Sequence, residues 1–348
     1  MKKLLLASAV AALSVSAANA APTVYGKAYL TVDASNAKAT SKSGLVQTKE
    51  DTNEKGLNSN SSRIGLKGSE ALTANTDVVY QLEYGVAIDN GAKEQKQFTS
   101  RDTYLGLAHK EYGTLLAGRL TTIDNNVDFA RVLEGNNVGD IVPSFDGPRV
   151  NNAFAYVSPE YNGVQFLGMY AFDSDTDKGG LAKDDQFGVG ATYSTGPINA
   201  GATYIHYGDD NHIRLSGNYA VSPALTVGAL YQISKFGVAA KNQKASPLFD
   251  GNVGDKKENT LIVSGEMKTA TPWTAYGQVA LIKNAAGFDD KSMGIGVGGK
   301  YAFNKATTGH VYTGYVNSER KNAIINNSQY DSTKNTGFGV GAGVEYRF

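Results

Sequence analysis

Lys27 and Arg63 each stand in a stretch where polar and apolar residues alternate, which places both on the polar side of a strand. The segment 121–148 has no such alternation and carries Asp124, Asp128, Glu134, Asp140 and Asp146 against a single Arg131. Connections this long are functional or disordered. Fixed charges of this kind break no bonds. They bias which ions approach.

Groups suited to bond-making are sparse. His109, His206, His212 and His310 are scattered without metal-ligand spacing, and the chain has no Cys, which excludes thiolate metal sites and a disulfide framework. Residues 294–299 satisfy G-x-G-x-x-G, but that motif has meaning only between a strand and a helix. Here it lies inside the alternating run 291–303, so no cofactor is expected. His206 and His212 with Asp209 and Asp210 are the best set for a hydrolytic site at a barrel rim, yet no nucleophile motif accompanies them.

The elements that must position these charges are strands. In the last eleven residues Phe338, Val340, Ala342, Val344, Tyr346 and Phe348 share one face, with glycines, Glu345 and Arg347 on the other. Period-2 alternation between turn signals predicts sixteen strands, near 24–33, 61–71, 77–87, 98–110, 113–120, 149–157, 163–172, 185–194, 197–207, 211–220, 224–234, 258–268, 272–283, 291–303, 306–317 and 335–348. Most are about ten residues long, enough for a tilted strand to cross hydrocarbon.

Connections after even-numbered strands are short, such as 111–112, 195–196 and 304–305. Those after odd-numbered strands are mostly long and polar: 34–60, 88–97, 121–148, 173–184, 235–257 and 318–334, with 208–210 a short exception. Turns on one side and loops on the other is the pattern of an outer-membrane barrel. An even count puts both termini on the short-turn side, where the first and last strands can pair and remove the edges.

Residues 1–20 have a basic start at Lys2 and Lys3, an apolar stretch and a small-x-small site at Ala18 to Ala20, so they predict a cleaved signal peptide and a mature barrel domain of 21–348. No stretch approaches the roughly 20 apolar residues of a membrane helix. A formal net charge of zero argues against a nucleic-acid partner. On the first strand Val24, Gly26, Ala28, Leu30 and Val32 face one way, and Tyr25, Lys27, Tyr29, Thr31 and Asp33 the other. A Lys or Arg facing lipid at the bilayer midplane costs about 2–4 kcal/mol, so the charged face must look inward. Sixteen strands enclose a lumen too wide for side chains to fill.

The mature chain resembles the general diffusion porins of Gram-negative bacteria, which are trimeric sixteen-stranded barrels. The resemblance rests on Tyr25-Gly26-Lys27, on the run from Ser62 to Glu70, on the run from Tyr112 to Leu120, on the run from Arg149 to Pro159, and on the terminal Phe348. It implies that 121–148 is the third loop, folded into the lumen as a constriction, with Asp124, Asp128, Glu134, Asp140 and Asp146 facing a basic wall of Lys27, Arg63, Arg101 and Arg149. Arg101 and Arg149 stand at strand starts and rest on the resemblance more than on alternation. The family's loop tip reads Pro-Glu-Phe-Gly-Gly, and here Pro143-Ser144-Phe145-Asp146-Gly147 stands instead, one carboxylate fewer at Ser144.

The expected protein is therefore an exported outer-membrane homotrimer, not an enzyme. It passes small hydrophilic solutes and ions with weak charge selectivity, is surrounded by outer-membrane lipids, and carries Phe348 as the signal to the assembly machinery. The alternatives are a closed barrel serving as an adhesin or structural protein, and a barrel hydrolase.

Overall fold

The computed structural model describes residues 22–89, 97–133, 147–172, 186–207, 210–236, 255–325 and 328–348. The predicted signal peptide, and Glu134, Asp140 and Asp146, lie outside them. The described residues form seventeen strand segments: β1 (Thr23–Ser43), β2 (Val46–Ser59), β3 (Arg63–Ala71), β4 (Thr76–Val86), β5 (Phe98–His109), β6 (Gly113–Thr121), β7 (Arg149–Val157), β8 (Val164–Ala171), β9 (Gln186–Thr195), β10 (Ile198–Tyr207), β11 (Asp210–Ala220), β12 (Leu225–Lys235), β13 (Glu258–Lys268), β14 (Trp273–Lys283), β15 (Asp290–Ala302), β16 (Thr307–Ile325) and β17 (Ser328–Arg347). Every neighbouring pair is antiparallel, and β1 pairs with β17, so the sheet closes into a barrel.

β2 and β3 follow one another along a single stave, because β1 pairs with β2 from Leu30 upward and with β3 from Thr23 to Lys27. The barrel thus has sixteen staves, as the alternation predicts. On β1, Val32 is 64% exposed while its neighbour Thr31 is 1% exposed, so the apolar parity faces outward and the polar parity inward. Leu105, Phe166, Val189, Leu215 and Val263 continue the outward apolar belt. Aromatic contacts mark both rims: Trp273, Tyr301 and Phe303 meet edge to face at the short-turn end, and Tyr170 with Phe172 at the loop end.

Two segments expected as loops are strands. In 34–43, 46–59, 318–325 and 328–334 the chain continues as paired backbone, with Lys42 opposite Ser332 between β1 and β17, and Ser43 opposite Val46 at the hairpin tip. Residues 34–60 carry polar side chains on both faces, so the hydrophobic period that marks a membrane strand is absent. Backbone hydrogen bonds to a neighbour already in register are sufficient to keep them extended. β16, β17, β1 and β2 together form a polar four-stranded extension beyond the rim.

Candidate functional site: the charged lumen

The described half of loop 121–148 runs inside the barrel along the wall from β9 to β15. A 3-10 turn at Ile123–Val127 starts it. Ile123 packs over Gly188 of β9 and Val127 over Gly201 of β10. The Phe129 N–H donates to Ser216 Oγ at 3.0 Å, Asn218 Nδ2 donates to Phe129 O at 3.1 Å, and the Val132 N–H donates to Gln278 Oε1 at 3.1 Å. Gly228 and Gly296 are the places where the wall makes room. A Cβ at Gly228 would stand 3.0 Å from Ala130 Cα, and one at Gly296 would stand 2.6 Å from a Leu133 methyl. Ile123 and Val127 join one apolar cluster with Leu116, Leu120 and Val150, and Ala130 joins a second with Leu230, Ile262 and Ala280. The loop is bound to its wall by these contacts and by the polar bonds.

Asp124 closes the loop's stem. It is 2% exposed, accepts from the Gly147 N–H at 2.9 Å and from Thr122 Oγ1 at 2.7 Å, and faces the Arg214 guanidinium at 3.3 Å. Arg214, on β11, also donates to Asp124 O at 3.0 Å and to Gln232 Oε1 at 2.7 Å. Asp128 has its own cation, Arg131, at 3.6 Å. Of the five predicted loop carboxylates, the two within the described residues are thus engaged within the loop or against the wall beneath it.

Across the lumen, cross-strand registry collects the basic residues. Lys27 stands directly between Arg347 on β17 and Arg63 on β3. Like charges directly opposite repel, and three carboxylates that the sequence reading did not single out offset them. Glu83 lies 3.4 Å from Arg63 and 2.6 Å from Arg101, and it accepts the Tyr25 hydroxyl at 3.0 Å. Asp102 takes Arg149 at 3.3 Å. Glu345 takes Lys27 at 4.0 Å and also pairs with Arg347. The structure therefore brings Lys27, Arg63, Arg101 and Arg149 onto one continuous wall, β1 to β7, interleaved with acids. Asp102 also accepts the Thr121 N–H at 2.8 Å and the Thr121 hydroxyl at 2.7 Å, joining that wall to the root of the loop.

A register shift between Leu82 and Tyr84 sets Arg101 and Asp102 against the single residue Glu83. Strict alternation would send one of these adjacent residues outward, but a bulge re-aims a side chain, and here both reach the lumen. Glu83 itself was legible, since it sits between the outward Leu82 and Tyr84. Phe348 closes the ring at the short-turn rim: its N–H donates to Gly26 O at 3.2 Å, and its carbonyl accepts the Gly26 N–H at 2.9 Å. Its side chain is 55% exposed on the outer surface. His206 lies 3.0 Å from Asn211 Oδ1, and Asp209 is outside the described residues.

A closed sixteen-stave barrel, apolar outside and charged inside, with a loop laid along its inner wall, defines an outer-membrane channel. The chain belongs to the Gram-negative porin family, which matches residues 7–323. An outer membrane porin protein of Bordetella pertussis is 26% identical over 329 residues, covering 83% of each chain. The major outer membrane protein P.IB of Neisseria sicca is 27% identical over 91% of this chain and 94% of its own. In fold, the anion-selective porin from Comamonas acidovorans matches with a TM-score of 0.65 at 19% identity, covering 94% of this chain and 99% of that one. The protein is an outer-membrane porin, a route for passive diffusion, and these relatives favour neither a closed adhesin barrel nor a hydrolase.

Proposed function

We propose that small hydrophilic solutes and ions cross the lumen without any catalytic step, through a passage narrowed between the basic wall of Lys27, Arg63, Arg101 and Arg149 and the loop 121–148, with a weak preference for anions. The observation that carries this reading is the imbalance of the wall. Among the described residues Lys27, Arg63, Arg101, Arg149 and Arg347 share the carboxylates Glu83, Asp102 and Glu345, while Asp124 and Asp128 already have cations of their own. Charges lining a passage with low-dielectric walls focus the potential on whatever enters. Purified protein in a planar bilayer should give stepwise conductance, and in a salt gradient a reversal potential on the anion side. A protein that inserts but never conducts, or one that is cation-selective, defeats this reading.

We also infer a homotrimer, assembled after removal of residues 1–20 and recognised by the assembly machinery through Phe348. One structure of similar fold, OmpT of Vibrio cholerae, is described in a trimer form, at 15% identity and a TM-score of 0.63. Small outward residues such as Gly26 and Ala28 would allow close packing between barrels. Sedimentation of the mature protein in mild detergent tests the trimer, and a monomer at all concentrations rejects it.

A further inference from the structure

At the short-turn end, which in such a barrel faces the periplasm, one row of inward residues crosses β4 to β8: Asp77, Ala108, Thr114, Val157 and Leu167. Val79, Leu116 and Met169, the next residues of the same parity on β4, β6 and β8, are all buried, which fixes the row on the inner face. Small side chains at Ala108 and Thr114 leave its middle recessed. Gly113 has a φ of +88°, and a Cβ there would stand 2.3 Å from Val157 O and 3.0 Å from Pro159 Cδ, so glycine lets the turn after β7 fold tightly against the start of β6. The result is a cavity of about 230 Å³, with Ala108, Thr114 and Val157 in its lining and the turns around it.

Its charged lining is mixed. Asp77 comes from β4 and Glu160 from the turn after β7, while His109 and Lys110 come from the end of β5 and the turn that follows. Asp77 accepts the Ser69 hydroxyl at 3.3 Å, and among the described residues neither Asp77 nor Glu160 makes an ion pair. Lys110 Nζ donates to Ala74 O at 2.7 Å, which uses one of its three hydrogens. His109 Nδ1 accepts the N–H groups of Glu111 at 3.1 Å and Tyr112 at 3.3 Å. The ring proton therefore sits on Nε2, which is left as a donor. Glu111, the other charged residue of that turn, is exposed and does not line the cavity.

We propose that this recess binds the zwitterion of a free α-amino acid. Its ammonium group is held by Asp77 and Glu160, its carboxylate by Lys110 and His109 Nε2–H, and its side chain rests on Val157 and Pro159. Charge-assisted hydrogen bonds at both ends argue for this occupant. A simple amine would leave the donors of Lys110 and His109 unused, and a simple carboxylate would meet two acids. Ala108 is roughly 20 Å of strand away from Asp102 on the basic wall, so the two sites are separate. The proposal rests on the shape of the barrel's short-turn end and not on conduction, so failure of the pore reading leaves it standing.

The test uses the full mature protein in mild detergent, with ligand-observed NMR titration of three probes: leucine, its deaminated analogue 4-methylpentanoate, and its decarboxylated analogue 3-methylbutylamine. Leucine should bind saturably and each analogue roughly tenfold more weakly or worse, because a hydrogen bond to a charged group is worth about a factor of ten. Asp77→Asn/Glu160→Gln should weaken leucine by a similar factor or more. Ala108→Leu, which fills the recess and leaves its charges in place, should weaken it as well. Heat-modifiable mobility on a gel shows that each variant folds. Equal leucine affinity in wild type and the acid double variant overturns the proposal, as does an absence of saturable binding. So does equal affinity for either analogue. Loss of leucine binding in Arg63→Gln/Arg101→Gln also overturns it, since the amino acid would then be held at the basic wall.

Discussion

Arg214 and Asp124 face each other at 3.3 Å with both side chains almost wholly buried, one on the barrel wall and the other in the stem of the inward loop. Breaking a buried pair by removing one partner leaves an uncompensated charge and costs about 3–5 kcal/mol. Arg214→Leu should therefore loosen the loop rather than the barrel. We expect faster hydrogen exchange across residues 121–133 and noisier single-channel currents, with the barrel's heat stability close to wild type. Adding Asp124→Asn to Arg214→Leu should recover part of the loss. Unchanged exchange in the single variant rejects an anchoring role for the pair.

Arg63→Gln/Arg101→Gln removes the two guanidinium groups nearest Glu83. Reversal potentials should move toward cations and the effective pore should widen. The shift should be clear near 0.1 M salt, where the Debye length is about 10 Å, and small near 1 M, where it is about 3 Å. Reversal potentials identical to wild type at low salt mean that the basic wall does not lie at the narrowest point.

Glu83→Gln should act in the opposite sense. It leaves Arg63 and Arg101 without their shared carboxylate and Tyr25 with a weaker acceptor. Anion preference should increase, and the wall should become less ordered because the two guanidinium groups now repel. A shift toward cations contradicts the assigned sign of the wall.

Deleting Phe348 removes the backbone pair it makes with Gly26 and the ring that lies over that glycine, where a Cβ would come 2.3 Å from the ring. Folded yield should fall, measured as the heat-modifiable fraction on a gel. Gly26→Val should lower it as well, since the added carbon would also meet the Arg63 carbonyl oxygen at 2.9 Å, and backbone cannot swing aside. Wild-type yield in both variants removes Phe348 from any part in ring closure.

The staves were legible because lipid on one side and water on the other impose a two-residue period that random loops lack. Lys27 and Arg63 followed from that period alone. Arg101 did not, because the bulge opposite Glu83 breaks the parity on which such reasoning depends. Arg214 lies in an alternating strand like any lumen-facing polar residue, and its importance comes from Asp124, 90 residues earlier in the chain. No local pattern records a partner so distant. The paired backbone of 34–60 was missed because exposed strands need no apolar face.

That polar extension has a consequence for how the molecule can change over generations. Its side chains on β2 are exposed from Val46 to Leu57, and what keeps it extended is main-chain pairing shared by every amino acid except proline. Substitutions there fall in the class that leaves stability within about 0.5 kcal/mol. A surface that stands beyond the barrel's rim is thus one whose chemical identity folding leaves largely free. A foreign peptide grafted at the Gly44–Leu45 tip should be displayed without disturbing the channel below it.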